Sequence, residues 1–456
     1  MKKILIANRG EIAVRIIRAC HDLGLETVAV YSQSDKEALH VLHANEAICI
    51  GESPSQKSYL RIPNILSACE VTDADAIHPG YGFLSENANF ASICESCGVT
   101  FIGPTPETIR LLGDKAQAKA TAKEAGCPVI PGSDGVVATV EEGIEIARKF
   151  GFPIFIKASS GGGGRGIRLV EREEDFERLF LAARAEAEVC FGNPDVYIEK
   201  MIVNPRHVEV QIIADNHGNC VHLGERDCTI QRRRQKLIEE TPSPILTKEL
   251  RHAIGEAAVR LAKRAGYSSV GTVEFLVDSS MNFYFMEVNT RVQVEHTVSE
   301  ELTGIDIVRE QIEIARGKQL PFRQEDIEFF GHVIQFRINA EDPSRDFRPS
   351  PGRLEYYVAP GGPHIRVDSA CYAGYAIPPH YDSMIAKLIV QGKDRKEAIK
   401  RAKRALSEFH IGGVKTTIPF HIDMLQDETF LGGEFHLGYI DTLIDEGYQF
   451  GCEGSD

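Results

Sequence analysis

The stretch GTVEFLVDSSMNFYFMEVN, residues 271–289, decides how the middle of this chain is read. Two runs filled with Val, Phe and Met flank a polar centre, as a β-hairpin requires. A turn at Ser280-Met281 sets Asp278 against Phe283, Leu276 against Phe285 and Glu274 against Glu287. Side chains alternate along a strand, so Glu287 and Asn289 share one face and Glu274 lies across from Glu287. Two opposed carboxylates on otherwise apolar strands repel each other unless a cation lies between them. Hard oxygen donors of this kind suit Mg²⁺ or Mn²⁺, with ATP phosphates completing the shell. The plainer alternative is a pair of solvated edge carboxylates.

The next residues weaken that alternative. Along Asn289-Thr-Arg291-Val-Gln293-Val294-Glu295-His296, a continued strand places Arg291, Gln293 and Glu295 on one face. They supply a fork for an oxyanion, an amide donor and a carboxylate base. Such a set could hold bicarbonate and remove its proton as it attacks a phosphoryl group. Upstream, ERDCTIQRRRQKLIEE (225–240) adds Gln231, Arg232, Arg233, Arg234 and Lys236. A run of arginines alone suggests nucleic acid, but here a pocket for phosphate or bicarbonate is expected. The chain carries 51 Lys+Arg against 66 Asp+Glu, a formal charge of −15, and has no general attraction for nucleic acid or an anionic membrane.

Further upstream, FPIFIKASSGGGGRGIRLV (152–170) reads strand, glycine loop, strand. It contains G-x-G-x-x-G, yet no Lys-Ser/Thr ends the loop and no helix follows it, which excludes a Walker A loop. A glycine hairpin resembles a flap closing over triphosphate, with Lys157 on the entering strand near the phosphates. The alternative is a flexible surface hairpin, at a high cost in backbone entropy.

The first hundred residues alternate: KILIA as strand, IAVRIIRACHDLGL as helix ended by Gly24, then TVAVYS, IPNILSACEV, DAIHPG, a further helix and VTFIG. This order predicts a parallel sheet covered on both faces, the start of a Rossmann-type domain. The first strand-to-helix turn, NRGE, has one glycine where dinucleotide binding needs three, so a dehydrogenase reading weakens. From Gly113 come helices at GDKAQAKATAKEAG and TVEEGIEIARKFG, then the glycine hairpin, a helix (EEDFERLFLAARAEAEV) and a strand (VYIEKMI). Alternating strands are expected to dominate from His207 to Asn289. Beyond Gly331 the chain turns strand-rich and closes with the helix DRKEAIKRAKRALSEF. With 456 residues, several domains are expected: 1–112, 113–330 with a lid at about 131–203, 331–446, and a tail at 447–456.

The opening apolar run is far shorter than the ~20 residues of a membrane span, and no signal peptide is visible. Eleven cysteines at scattered spacings fit reduced thiols and a cytoplasmic setting. Cys94 and Cys97 form a lone C-x-x-C, for which packing is the default reading.

EVNTRVQVEH, ERDCTIQRRRQK, KASSGGGGRG, HPGYGFLSEN and FRINAEDP together resemble the biotin carboxylase family, and the likeness runs from ANRGEIAVRIIRAC to YDSMIAKL and GGVKTT. The resemblance implies an α/β fold, in part α+β: a Rossmann-like N-terminal domain, an ATP-grasp core with a mobile lid, and a β-rich C-terminal domain. It implies that Lys115, Lys157, Gly163, Gly164, Glu199, Lys200, Ile202, His207, Gln231 and Arg234 bind ATP. Glu274, Glu287 and Asn289 would hold two Mg²⁺ or Mn²⁺ ions. Lys236, Arg291, Gln293 and Val294 would cradle bicarbonate, Glu295 would be the general base, and Arg337 would stabilise the biotin anion. One departure stands out: the family commonly reads QRRHQK where this chain has Arg234, and a permanent cation cannot copy a neutral imidazole.

The implied reaction is ATP-dependent carboxylation of biotin through carboxyphosphate, in the setting of acetyl-CoA carboxylase and fatty acid synthesis. A two-subunit pyruvate carboxylase or another acyl-CoA carboxylase is the alternative. No Met-Lys-Met attachment sequence is present, so biotin is expected on a separate carboxyl carrier protein, with separate carboxyltransferase subunits. A homodimer is implied by the family alone. Other ATP-grasp ligases would share the ATP and metal residues but not RVQVEH with FRINAEDP. A non-enzymatic ATP-binding subunit would need neither Glu295 nor Arg337.

Overall fold

The structure, a computed structural model, describes residues 1–159 and 166–451. Lys3–Ile6 (β1), Glu26–Ser32 (β2), Glu46–Gly51 (β3), Ala76–His78 (β4) and Thr100–Phe101 (β5) form one parallel sheet in the order β3-β2-β1-β4-β5. The helix Gly10–Asp22 crosses between β1 and β2, burying Ile12, Ala13, Ile16 and Ile17. It stops at Gly24, whose φ of +69° suits a residue without Cβ. The alternation read from the sequence is therefore present, with β3 added. That strand, EAICIG, is half exposed and lacks the long apolar run of its neighbours.

Three further strands, Ile154–Ala158 (β6), Ile167–Val170 (β7) and Val196–Lys200 (β8), form a small antiparallel sheet in the order β7-β6-β8. β6 and β7 are the arms of the glycine hairpin, with Lys157 opposite Ile167. Helices Val140–Phe150 and Phe176–Phe191 accompany this sheet, and Ala147, Phe176, Phe180 and Ala183 pack with its strand residues in one core.

The largest sheet is antiparallel and holds eight strands. In chain order its first six are Arg206–Ala214 (β9), Cys220–Arg232 (β10), Gln235–Thr241 (β11), Ser269–Val277 (β12), Phe283–Asn289 (β13) and His332–Asn339 (β14). They lie side by side as β13-β12-β9-β10-β11-β14, followed by Met384–Gly392 and Ile365–Ser369. The sheet therefore runs unbroken from the carboxylate hairpin to the β-rich C-terminal segment, and Arg337 on β14 shares a sheet with Glu274. Alternation gives each strand two characters. Along β12, Val273, Phe275 and Val277 enter an apolar core with Ile254, Ala257 and Leu261, while Thr272 and Glu274 face the other way. Full burial of each such aliphatic or aromatic side chain contributes about 1.5–3 kcal/mol.

Two expectations need correction here. A 17-residue helix, Lys248–Arg264, interrupts the region read as strands. Thr247 caps it, and its small apolar positions Ile254, Ala257, Ala258 and Leu261 recur at helical spacing. The hairpin register also differs near its turn. Leu276 pairs with Tyr284 rather than Phe285, and Asp278 closes onto Asn282 rather than facing Phe283. A bulge at Met286 absorbs one residue and restores Glu274 opposite Glu287. No helix among the described residues is long and apolar enough to cross a membrane.

Candidate active site

Glu287 on β13, Glu274 on β12, Glu209 on β9 and Arg226 on β10 stand directly opposite one another across four adjacent strands. Opposed residues of an antiparallel ladder point to one face, so three carboxylates and a guanidinium form a row. Arg226 is wholly buried and spends its donors within the protein: on Glu209 Oε1 at 2.6 Å, Gln211 Oε1 at 2.6 Å, Thr272 Oγ1 at 3.0 Å, Ser299 Oγ at 3.1 Å and Gln293 Oε1 at 3.2 Å. Lys236 reaches the row from β11, 2.5 Å from Glu209 Oε2 and 3.2 Å from Glu274 Oε1. It also donates to Glu295 Oε1 at 2.6 Å.

The charges divide along this row. Burial works against the Lys236 ammonium, but Glu209, Glu274 and Glu295 together raise its pKa well above the ordinary lysine range. Burial would raise Glu274 too, yet Lys236 and His207 hold it well below the usual carboxylate range. Glu287 is pushed up, first by burial and then by the charge of Glu274. The opposed pair inferred from the sequence is thus real and only partly compensated. Asn289 Nδ2 donates to Glu274 Oε1 at 2.8 Å, and His207 Nε2 lies 2.8 Å from Glu274 Oε2. His207, Glu209 and Glu274 offer ligand atoms within 4.8 Å of one another. Carboxylate oxygens in excess over cations fit a hard divalent ion.

The segment after Asn289 departs from expectation. The strand ends there, and Glu295 precedes the helix His296–Thr303 instead of extending β13. Strand alternation therefore does not gather Arg291, Gln293 and Glu295. They converge only in part, through their partners. Gln293 Nε2 donates to Glu274 Oε1 at 2.8 Å, while Glu295 takes Lys236 on one oxygen and Arg337 Nη2 on the other at 2.9 Å. Burial opposes the Glu295 charge, but Lys236, Arg337 and Arg226 hold its carboxyl far below the ordinary range. Arg291 turns toward Glu86, with Nε to Oε2 at 2.8 Å, and toward Asn289 Oδ1 at 3.0 Å. Val294 is apolar, so only its backbone can serve an oxyanion.

On the small sheet, Lys157 Nζ lies 2.5 Å from Glu199 Oε2, and Lys119 Nζ lies 2.8 Å from Glu199 Oε1. Lys200, the next residue on β8, points the other way and donates to the carbonyls of Gly151 at 2.9 Å and Phe152 at 3.3 Å. Lys115 opens the helix Lys115–Glu124 and its charge reaches Glu287. Ile202 follows β8, partly buried. His207 Nδ1 and Gln231 Nε2 are 2.8 Å apart. Gly163 and Gly164 lie outside the described residues.

The arginine run does not act together. Arg233 and Arg234 form the two-residue turn between β10 and β11, with φ of +49° and +66°. Arg232 and Arg233 pair with Asp346, and Arg234 is exposed. Of the four cations from Arg232 to Lys236, Lys236 alone enters the buried cluster.

Three family models match consecutive parts of the chain. They are the biotin carboxylase N-terminal domain over residues 1–109, the carbamoyl-phosphate synthase L chain ATP-binding domain over 114–323, and the biotin carboxylase C-terminal domain over 335–442. Biotin carboxylase 1 of Bacillus subtilis is 57% identical over 443 residues, covering 97% of this chain and 98% of its own. The chain belongs to the biotin carboxylase family. A pyruvate carboxylase subunit of Methanothermobacter thermautotrophicus is 53% identical, over 96% of this chain and 89% of its own. Among solved structures, the biotin carboxylase domain dimer of Hydrogenobacter thermophilus 2-oxoglutarate carboxylase, with MgADP, ADP and bicarbonate, matches at TM-score 0.90 and 50% identity. That match covers 97% of this chain and 98% of the other.

As a biotin carboxylase, the chain is an ATP-dependent enzyme with the Rossmann-like, ATP-grasp and β-rich parts in the expected order. Several residues that build its site escaped the sequence reading: Glu209, Arg226, Glu239, Lys119 and Glu86. Glu209 had a readable signal. Along RHVEVQIIA, His207, Glu209 and Gln211 alternate with Val208, Val210 and Ile212, the pattern of a strand whose polar face is occupied. Glu239, which accepts from Arg337 Nε at 2.5 Å and Gln335 Nε2 at 3.0 Å, sits in a run with no such contrast.

Proposed function

We propose that this enzyme carboxylates biotin borne on a separate carboxyl carrier protein, as the first half-reaction of an acetyl-CoA carboxylase supplying malonyl-CoA for fatty acid synthesis. The observation that carries the chemistry is the buried triad Lys236–Glu295–Arg337, one hydrogen bond from the Glu274–Glu287 pair. Bicarbonate bound by Lys236, Arg291, the Gln293 amide and the Val294 N–H competes for the cations that hold Glu295. Each hydrogen bond that Glu295 yields raises its proton affinity, so its strength as a base follows substrate binding. Glu295 takes the bicarbonate proton, the freed oxygen attacks the γ-phosphorus of ATP, and ADP leaves. Carboxyphosphate then splits into CO₂ and phosphate. The phosphate takes the ureido N–H proton of biotin, and the nitrogen attacks CO₂ while Arg337 balances the charge on the ureido oxygen.

Lys115, Lys157, Gly163 and Gly164 are assigned to the phosphates. Glu199, Lys200, Ile202, His207, Gln231 and Arg234 are assigned to the rest of the nucleotide, Lys200 through its backbone. Glu274, Glu287 and Asn289 would hold Mg²⁺ or Mn²⁺, which when bound neutralises phosphate charge. The domains are assigned to 1–112, 113–330 with a mobile lid at about 131–203, and 331–446, followed by the tail at 447–456. A cytoplasmic homodimer served by carboxyltransferase subunits completes the reading; the dimeric Hydrogenobacter domain supports the dimer. The Methanothermobacter relative favours a second setting, the carboxylase subunit of a pyruvate carboxylase.

The test is phosphate release from ATP with Mg²⁺, with and without bicarbonate, free biotin and a biotinylated carrier. Turnover should need bicarbonate, rise with biotin and vanish in Glu295→Gln. Bicarbonate-independent hydrolysis would sink the reading. Pairing with acetyl-CoA or pyruvate carboxyltransferase partners separates the two settings.

A further inference from the structure

The turn that carries Glu295 is held from behind by a lysine that none of the steps above uses. Lys387 lies on the strand Met384–Gly392 directly opposite Arg337, so the two cations share a face. Its side chain is wholly buried. The ammonium donates to the Val294 carbonyl at 3.0 Å and lies 3.1 Å from Glu11 Oε2 and 3.9 Å from Asp368 Oδ2. His296 Nδ1 holds the preceding carbonyl, that of Gln293, at 2.6 Å. The peptide units on either side of Val294 are therefore both fixed by buried side chains.

The partners of Lys387 come from opposite ends of the chain. Glu11 belongs to the helix Gly10–Asp22 of the Rossmann-like domain and accepts a hydrogen bond from the Tyr81 hydroxyl. Asp368 stands on the strand Ile365–Ser369, tied to Arg366 through two contacts of 2.8 Å. A buried ammonium serving only as an ion-pair strut needs carboxylates. This one also takes a main-chain carbonyl one residue before Glu295. Arg337 and Lys387, side by side, thus grip the same turn by its side chain and its backbone.

We propose that Lys387 is a positioning residue for bicarbonate: by clamping the Val294 carbonyl it sets where the Gln293 amide, the Val294 N–H and the Glu295 carboxylate stand against Lys236 and Arg337. The proposal rests on the reading of Gln293–Glu295 as the bicarbonate site. A small displacement there is costly, because a misplacement of about 1 Å lowers turnover by roughly 10²-fold.

Lys387→Met alone leaves Glu11 uncompensated and unsettles the fold. The deciding variant is therefore Glu11→Gln/Lys387→Met, which removes both charges and still removes the clamp. It should melt within a few degrees of wild type and keep its ATP KM within about twofold. Its bicarbonate KM should rise, and its kcat fall, by about tenfold or more. Wild-type bicarbonate KM and kcat in the folded double variant would overturn the proposal. So would equal losses toward ATP and bicarbonate, or a double variant that does not fold, since Lys387 would then be a general strut. Glu295→Gln, assayed in parallel, separates the two readings. Bicarbonate-dependent turnover surviving in Glu295→Gln removes the site itself, whereas loss there beside a normal double variant removes only the role of Lys387.

Discussion

In the eight-stranded sheet Lys236 meets three carboxylates with 13% of its side chain exposed, whereas at the small sheet Lys157 and, from the helix Lys115–Glu124, Lys119, 25% and 31% exposed, share the one carboxylate of Glu199. The imbalance has opposite sign in the two places. Around Lys236, the carboxylates of Glu209, Glu239, Glu274, Glu287 and Glu295 outnumber the cations Lys236, Arg226 and Arg337. A surplus of buried negative charge calls for a metal ion, and a surplus of half-exposed positive charge calls for phosphate. The buried cluster is set before substrate arrives, whereas Lys119 and Lys157, more open to solvent, can exchange Glu199 for a ligand at lower cost than Lys236 can leave its carboxylates.

The sharpest way to break this contrast is to remove one cation from each cluster. Lys236→Met removes the one cation that Glu209, Glu274 and Glu295 share in a buried cluster, leaving each with a single basic partner, and should cost about 3–5 kcal/mol of stability. Turnover should fall by roughly 10²-fold or more. Lys119→Met leaves Glu199 still paired with Lys157, and its stability cost should stay below about 1 kcal/mol. Urea denaturation of both variants decides it. Equal costs would mean that the two clusters are built alike.

The next effect depends on pH. Glu240 is fully buried, and although burial opposes its charge, His332 and Arg395 hold its pKa down to about 2. Its folded value thus lies below the unfolded one. The stability it contributes is present above about pH 4.3 and is lost as pH falls through its folded value, on the order of 3 kcal/mol in all. Acid denaturation followed between about pH 5 and pH 2 should lose that component of its slope in Glu240→Gln. An unchanged acid limb would show that other carboxylates set it.

Sequence legibility follows the same division between local pattern and assembled partners. The parallel sheet, the two strands flanking the glycine loop and the Glu274–Glu287 pair could all be read, because each depends on period-two or helical spacing within a short segment. The carboxylate pair is legible despite a register error at the turn, since a bulge at Met286 returns the strands to the assumed pairing. The convergence of Glu295 with Arg337 and Lys236 could not be derived from spacing. The strand ends at Asn289, and the partners come from β11 and β14, whose adjacency is a property of the sheet order. Only the family resemblance brought those three together. The helix Lys248–Arg264 differs: its helical period is present in the sequence, but it lies between strand patterns on both sides.

A smaller effect concerns nucleotide binding. On the proposed assignment of Lys157 to the phosphates, Lys157→Met removes one charge-assisted hydrogen bond and should raise the ATP KM by about tenfold, while its stability shifts by less than about 1 kcal/mol. Initial rates at saturating bicarbonate measure it. A KM unchanged from wild type would leave the positive surplus on the small sheet without a use.

The smallest effect tests Arg234, where the family commonly has histidine. Arg233 and Arg234 both have positive φ in a two-residue turn, a conformation that favours Asn and Gly. The strain at each residue without that freedom is about 1 kcal/mol. Arg233 recovers part of it through Asp346, but Arg234 makes no side-chain hydrogen bond or ion pair among the described residues. Arg234→Gly relieves that strain but frees the unfolded chain, so it should stabilise the enzyme by less than about 1 kcal/mol. Arg234→His keeps the strain and should leave stability near wild type. If the arginine reaches the nucleotide only when ATP is bound, both variants will raise the ATP KM, and Arg234→Gly will do so despite its added stability. If neither does, the position serves the turn that aims Lys236, and the side chain it carries is free to vary.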